Sequence, residues 1–451
     1  MLDSEFKDKD VVIMGLGYVG LTLGAYLAEL GFKVHGVEIR DLVLNALESK
    51  KSFFWEPGLD DFLVRNIENG NFSFSRAIPK SKSNRVFVIT VGTPIDKHKK
   101  AILDSIINVS NQVSQAMIDG DMVILRSTVK LNTTNSIVAP ILNKSGKEFD
   151  LAFCPERTLE GAALKELGSL PQIVGAGSQR SRSRATNLFQ QITSSVVNVS
   201  NIETAEMIKL VDNMQRDVFF AVSNEVAHLC NTQQIKASEV ISAGKLGYMR
   251  TNLANPGPVG GPCLEKDSYL LAESIEKTPA TARIALAARL TNENVTTEAA
   301  GFISDWIKQN CGETAVKISV LGMAFKGIPE TNDMRGSPAI ALIDSIINFC
   351  PDSRIYCWDP VITVGEMNPF GYRSSVDLQG CIDGSSVIIL VNNHPELSSL
   401  DFKSISTSAK KPMLIYDFWG RSDNHLTLEG LGQYYSWGNH FINGQGKETT
   451  N

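Results

Sequence analysis

The stretch from Asp10 to Glu38 constrains the fold more than any other part of this chain. Asp10–Met14 (DVVIM) is a short apolar run that ends directly in Gly15-Leu16-Gly17-Tyr18-Val19-Gly20. A helical pattern through Leu21, Leu23, Ala25, Leu27 and Leu30 then stops at Gly31, and a second apolar run, Lys33–Val37, ends at Glu38. Strand, glycine turn, helix and strand in this order open a doubly wound parallel sheet. Each glycine has its own duty: Gly15 makes the tight turn, Gly17 lets backbone approach a pyrophosphate, and Gly20 lets helix pack on strand. The helix N-terminus then attracts the phosphates. A carboxylate at Glu38 accepts hydrogen bonds from ribose hydroxyls and repels a 2′-phosphate, so NAD is expected over NADP.

Further buried-strand patterns occur at 86–91, 122–126, 151–154, 173–175 and 196–199, so a dinucleotide-binding Rossmann domain is expected over 1–200. From 201 to 230 the pattern becomes one long helix, with Met207, Ile208, Val211, Met214, Val218, Phe219, Val222, Val226 and Leu229 at helical spacing. Helices continue to about 310, broken by the loop Asn255-Pro-Gly-Pro-Val-Gly-Gly-Pro262, which gives a central domain over 201–312. At 317–325 a strand again runs into a glycine turn; a helix at 337–348 and strands at 354–358, 386–391 and 413–416 follow, giving a C-terminal domain over 313–451 with a polar tail at 443–451. The expected class is α/β: two Rossmann-like doubly wound domains joined by a long central helix and a helical middle domain.

Charge and composition exclude other classes. The net charge is -6, and the basic runs at 97–100 and 180–184 are short and read as solvated surface, so no nucleic-acid partner is expected. No apolar stretch approaches the roughly 18 residues of a membrane span, and the start MLDSEFKDKD is too acidic and polar for a signal peptide. Seven scattered cysteines without CxxC spacing point to a reducing cytoplasm, with neither a disulfide framework nor a metal site.

Three groups of residues carry chemistry. Lys209 and Asn213, four apart on the long helix, project an ammonium and an amide from one face, which suits an oxygen gaining negative charge. The pattern alone fits a solvated surface lysine better. In Gly260-Gly261-Pro262-Cys263-Leu264-Glu265-Lys266-Asp267 the cysteine lies near the start of a helix expected over 267–275, where the helix dipole and Lys266 favour thiolate. Asp267, about one turn on, is placed to orient a water or hydroxyl. Cys154-Pro155-Glu156-Arg157 follows a strand end, where the ligands of doubly wound sheets bind, although Glu156 taken singly reads equally as a salt-bridge partner.

These motifs, with EPGL at 56–59, VGTP at 91–94, RSTV at 126–129 and GMAFKG…TNDMRGSP at 322–338, occur in the order found in the UDP-glucose/GDP-mannose dehydrogenase family. The resemblance spans roughly residues 10 to 420. It implies an NAD-dependent, two-step oxidation of a nucleotide-sugar C6 alcohol to a carboxylate. Cys263 matches the nucleophile that forms a thiohemiacetal and then a thioester. Lys209 and Asn213 match the residues that stabilise oxyanions, Asp267 one assisting proton transfer, Glu156 one associated with thioester hydrolysis, and Thr128 one positioning a water. The cofactor set implied is Gly15, Gly17, Tyr18, Val19, Gly20, Glu38, Thr93, Ser127, Glu160, Lys266 and Arg335. The substrate set is Arg157, Arg250, Gly260, Gly261, Phe325 and Lys326. The long helix implies a homodimer or higher homo-oligomer.

The sugar is less sharply marked. Pro155-Glu156-Arg157 is similar to the members acting on UDP-N-acetylmannosamine or UDP-N-acetylglucosamine, whereas Pro262 and Lys266 look more like the UDP-glucose pattern. A UDP-N-acetylhexosamine is modestly favoured, with UDP-glucose as the alternative. More remote alternatives are a one-step β-hydroxyacid dehydrogenase, which needs no cysteine, and a catalytically silent nucleotide-sugar-binding protein.

Overall fold

Val, Ile, Leu and Phe dominate the short runs that become strands. The structure is a computed structural model describing residues 7–312, 315–368, 371–420 and 432–440; the polar tail at 443–451 and the first six residues lie outside that range. In the first sheet the strands are β1 (Asp10–Met14), β2 (Lys33–Val37), β3 (Phe72–Ser75), β4 (Val86–Ile89), β5 (Asp121–Leu125), β6 (Phe149–Phe153), β7 (Gln172–Ala176) and β8 (Val196–Asn198). Their order is β3-β2-β1-β4-β5-β6-β7-β8. All neighbours are parallel except β6 and β7, which run antiparallel. Every residue of β4 and β5 is buried, as expected of parallel strands covered on both faces. One apolar cluster packs around Val11, Ile13, Val88 and Ile124, and a second around Val12, Met14, Phe87 and Val123, so successive residues feed opposite faces of the sheet.

The second sheet holds β9 (Lys317–Leu321), β10 (Arg354–Trp358), β11 (Arg373–Ser374), β12 (Val387–Leu390), β13 (Leu414–Asp417) and β14 (Gln433–Ser436). These are all parallel, in the order β11-β10-β9-β12-β13-β14. In both sheets the order reverses beside the first strand, at β1/β4 and at β9/β12, and ligands of such sheets bind beyond the carboxyl ends of those strands. The sequence patterns did not contain β3, β11 or β14.

In chain order, β8 and β9 are separated by the helices Ile202–Gln233, Ala237–Lys245, Leu264–Ile275 and Arg283–Cys311. The first is 32 residues long. The helix expected over 267–275 starts at Leu264, so Cys263 immediately precedes its first residue. The chain divides into two compact units, Met1–Asn213 with Lys266–Ala282, and Met214–Glu265 with Arg283–Asn451.

Candidate active site

In the first unit the site begins at the glycine turn. Gly15 adopts φ +96°, and a Cβ there would lie 2.8 Å from Val91 Cγ1; a Cβ on Gly20 would lie 1.9 Å from the Gly15 carbonyl oxygen. Gly17 is open, its nearest neighbour being Arg40 Nη2 at 3.9 Å. It caps the helix Tyr18–Glu29 without a side-chain hydrogen bond, so no capping side chain occupies the first-turn N–H groups that a pyrophosphate would use. Close packing below the turn and open space above it fit a dinucleotide.

Glu38 is buried at the end of β2. Its carboxylate accepts from the backbone N–H of Leu16 (3.0 Å), Ile39 (2.8 Å) and Arg40 (3.0 Å), and from Arg40 Nε (3.1 Å) and Nη2 (2.7 Å). Burial pushes the carboxyl up, but the hydrogen bonds from Arg40 and the backbone prevail and hold it below the usual carboxylate range. The Arg40 fork is a contact that sequence reasoning did not contain. Tyr18 donates its hydroxyl to Glu56, and the Gly161 N–H reaches both oxygens, at 2.9 and 2.8 Å, tying the glycine turn to the turn that carries Glu160. Burial, and then Glu56, raise the phenol of Tyr18. Half-buried Val19 belongs to the same helix. Beyond β4 and β5, Thr93 donates to the Thr128 carbonyl and Ser127 donates to the Val91 carbonyl at 2.6 Å, which brings these three residues together.

Glu156 forms a buried pair with Arg126, whose Nε and Nη2 lie at 3.1 and 2.5 Å from Oε2. Its Oε1 accepts from the N–H of Arg157 (2.7 Å) and Thr158 (2.8 Å). Burial raises this carboxyl, and Arg126 with the two backbone donors more than reverses the effect. With both oxygens doubly engaged, Glu156 fixes the turn after β6. Arg157 lies 3.4 Å from Asp212 and also donates to the Pro171 carbonyl.

On the helix Ile202–Gln233, Asn213 donates to Asp267 Oδ2, and Lys266 Nζ donates to Asp267 Oδ1 at 2.6 Å. Asp267 is almost wholly buried. Lys209 is only 9% exposed and has no hydrogen-bond or ion-pair partner among the described residues. This corrects the surface reading of Lys209: the fold covers most of the side chain, and the ammonium at its end is left to meet a ligand oxygen or water. Glu206, one turn earlier, was missed: it is fully buried and accepts from Thr134 N (2.9 Å), Thr134 Oγ1 (2.6 Å) and Asn132 N (2.5 Å). A glutamate one turn from Lys209 on a partly apolar helix was the available signal.

The helix bearing Asp267 is latched within the same unit. Glu273 pairs with Lys130 at 2.8 Å and accepts from Ala101 N at 2.7 Å, and Lys100 pairs with Glu276. Lys99 lies over the Tyr269 ring at 4.7 Å. The basic run at 97–100 therefore grips a helix as well as facing solvent. In the run at 180–184, Arg184 pairs with Asp8 and Asp150.

In the second unit Cys263 is exposed and in no disulfide, whereas burial pushes the thiol of Cys357 up to about 12 and that of Cys381 up to about 11, as it pushes Cys154 of the first unit up to about 12. A Cβ on Gly261 would meet the Phe325 ring at 2.5 Å, one on Gly260 would meet the Gly336 carbonyl at 2.1 Å, and Gly261 N donates to that carbonyl at 2.8 Å. The cysteine loop and the 322–338 motif are thereby interlocked. Lys326 and Arg250 lie over the rings of Phe325 and Tyr248, and Arg335 pairs with Asp333 at 2.5 Å. No group of three or more His, Cys, Asp or Glu side chains suited to a metal ion occurs among the described residues.

Three family models match the chain: the UDP-glucose/GDP-mannose dehydrogenase family NAD binding domain over 9–193, its central domain over 203–294 and its UDP binding domain over 319–424. A UDP-N-acetyl-D-mannosamine dehydrogenase of Pyrococcus horikoshii is 30% identical over 413 residues, covering 90% of this chain and 94% of the relative. The solved structure of a UDP-D-ManNAc dehydrogenase from Pyrococcus horikoshii aligns with TM-score 0.84 and 28% identity, covering 96% of this chain and 99% of the other. A UDP-glucose dehydrogenase from Pyrobaculum islandicum aligns with TM-score 0.83 at 22% identity, covering 97% and 99%, a likeness of fold alone.

Proposed function

The chain belongs to the UDP-glucose/GDP-mannose dehydrogenase family and is an NAD-dependent nucleotide-sugar dehydrogenase, and we propose that it oxidises C6 of a UDP-N-acetylhexosamine, UDP-N-acetylmannosamine in the first place, to the uronic acid. The observation that supports the chemistry is Lys209, largely covered and without a hydrogen-bond or ion-pair partner among the described residues, one turn from the Asn213–Asp267–Lys266 chain. The name of the Pyrococcus relative and the Pro155-Glu156-Arg157 sequence support the choice of sugar.

NAD, when bound, accepts the hydride that leaves C6 in each of the two oxidations. Gly15, Gly17, Tyr18, Val19 and Gly20 would form its turn, Glu38 would take the ribose, and Thr93, Ser127, Glu160, Lys266 and Arg335 are the further residues that would hold it. Lys209 and Asn213 hold the C6 oxygen as it loses its proton, which passes through a water oriented by Asp267 and Thr128. The Cys263 thiolate then adds to the aldehyde carbon, and the resulting oxygen takes a proton to give a thiohemiacetal. Loss of the second hydride and of that proton leaves a thioester. Water adds to the thioester carbon, the C–S bond breaks, and the carboxylate and the Cys263 thiolate are released, the two protons of the water passing to solvent. Glu156 serves hydrolysis by holding its turn in place. Arg157, Arg250, Gly260, Gly261, Phe325 and Lys326 hold the sugar and phosphates.

The reading includes a homodimer and a cytoplasmic location, which suits a nucleophile that must stay reduced. The test is NADH released per sugar consumed, with UDP-N-acetylmannosamine, UDP-N-acetylglucosamine, UDP-N-acetylgalactosamine, UDP-glucose and GDP-mannose. About two NADH per sugar are expected with UDP-N-acetylmannosamine, and a large loss of acid formation in Cys263→Ser, because a hydroxyl is a far poorer nucleophile than a thiolate at neutral pH. One NADH per sugar, or undiminished acid formation in Cys263→Ser, refutes the relay through the thioester; turnover of UDP-glucose alone refutes the choice of sugar.

A further inference from the structure

The segment from Thr251 to Gly260 forms neither helix nor strand. Two of its carbonyls are nevertheless held by buried side chains. Arg289, on the helix Arg283–Cys311, is 1% exposed. Its Nη2 donates to the Val259 carbonyl at 3.0 Å, and its Nη1 donates to the Leu264 carbonyl at 3.0 Å and to Asp217 Oδ1 at 3.1 Å. Val259 and Leu264 bracket Gly260, Gly261, Pro262 and Cys263, so one guanidinium spans the base of the cysteine turn.

That guanidinium is itself fixed. Asn292 donates to Asp217 Oδ1 at 2.7 Å and accepts from Asn224 Nδ2 at 2.8 Å. Asn224 also clasps Gly257, accepting from its N–H at 2.8 Å and donating to its carbonyl at 3.0 Å. Asp217, Asn224 and Asn292 are all buried. A buried Arg–Asp pair is a poor route to stability alone, since apolar residues of the same volume commonly do as well. Its distinctive product here is geometric: positions 257 and 259 of the irregular segment, and position 264 at the start of the following helix, are pinned to the helices Ile202–Gln233 and Arg283–Cys311.

We propose that Arg289, oriented by Asp217 and Asn292, is a positioning residue for the nucleophile: it holds Cys263 directly before the first residue of the helix Leu264–Ile275, where the helix N-terminus favours thiolate. The proposal rests on the reading of Cys263 given above.

The test uses the full-length enzyme with Arg289→Lys, which keeps a cation beside Asp217 but loses the fork, and Asn224→Ala, which leaves the Arg289–Asp217 pair in place. Iodoacetamide alkylation of the Cys263 peptide is followed by mass spectrometry across pH, alongside kcat, KM and NADH binding. The expectation for Arg289→Lys is a kcat lower by about tenfold or more, both KM values within about twofold, unchanged NADH binding and an alkylation midpoint moved to higher pH. Asn224→Ala shifts in the same direction by less, and it decides the matter if Arg289→Lys does not fold. Folded variants with the wild-type alkylation profile and kcat overturn the positioning role. Wild-type enzyme that keeps full acid formation after Cys263 is alkylated overturns the nucleophile itself, and the positioning role with it.

Discussion

A side chain's partners decide what its charge is worth, and Glu156 shows this. Its carboxyl in the folded protein lies below the usual carboxylate range, because Arg126 and the backbone N–H groups outweigh burial. A group whose folded value is depressed contributes stability above its unfolded value, about 4.3 for a glutamate, and loses it as pH falls through the folded value. The pair therefore supports the fold at neutral pH and fails on acidification below about pH 4.3. Glu156→Gln leaves the buried Arg126 charge uncompensated, at a cost of about 3–5 kcal/mol at pH 7. Urea unfolding from pH 3 to 8 is expected to show that deficit near neutrality and a narrowing gap between wild type and variant toward pH 3. A gap of constant size across the range would deny the ion pair this role. The Glu156 pair was half legible: the sequence contained Arg126 and Glu156 in strand-end motifs, but that one grips the other follows from β5 and β6 being neighbours. Lys209 was misjudged for a related reason, since periodicity along a helix places a residue on a face without revealing what covers that face.

Elements with period and punctuation were the readable ones. The glycine turn, β4, β5 and the long helix carry patterns that single residues impose: Gly15 and Gly20 because only glycine fits, β4 and β5 because both faces are buried. The strand β3 reads FSFS, with three of its four residues not buried, and β11 has two residues, so neither offers an apolar run. The start of the helix at Leu264 was missed by three residues because Gly261-Pro262-Cys263 ahead of it holds none of the Ser, Thr, Asp or Asn that mark a helix start in sequence. The glycine turn allows a sharp prediction at this scale. A Cβ at residue 20 would overlap the Gly15 carbonyl oxygen at 1.9 Å, a contact with backbone that no rotamer relieves. Gly20→Ala must push the helix Tyr18–Glu29 off the turn, moving the N–H groups that receive the pyrophosphate. NADH binding, followed by fluorescence, is expected to weaken by at least tenfold, with a loss of stability of about 1–3 kcal/mol. Wild-type NADH affinity in a folded Gly20→Ala protein would show that the turn does not hold the cofactor.

The assembly is argued from the surface of the long helix. Val211, Val222 and Leu229 are separated by 11 and 7 positions, close to three and two helical turns, so they share one face of Ile202–Gln233. Val222 is 45% and Leu229 55% exposed, an apolar stripe left uncovered among the described residues. Periodicity foresaw an apolar face here without distinguishing core from interface, because the hydrophobic pattern of a helix is the same in both cases. The proposed homodimer covers this stripe with its own copy. A two-fold interface presents each residue twice, so a charge near the axis meets the same charge from the partner as well as losing water. Val222→Asp is therefore expected to weaken dimerisation by about 100-fold or more while leaving the subunit folded, since the side chain is exposed in the monomer. Light scattering across micromolar concentrations checks this: dimer for the wild type, monomer for Val222→Asp, with matching circular dichroism spectra. A Val222→Asp protein that remains dimeric at the lowest concentration would remove this face from the interface and turn the search toward the exposed Ile284 and Leu290 on the helix Arg283–Cys311.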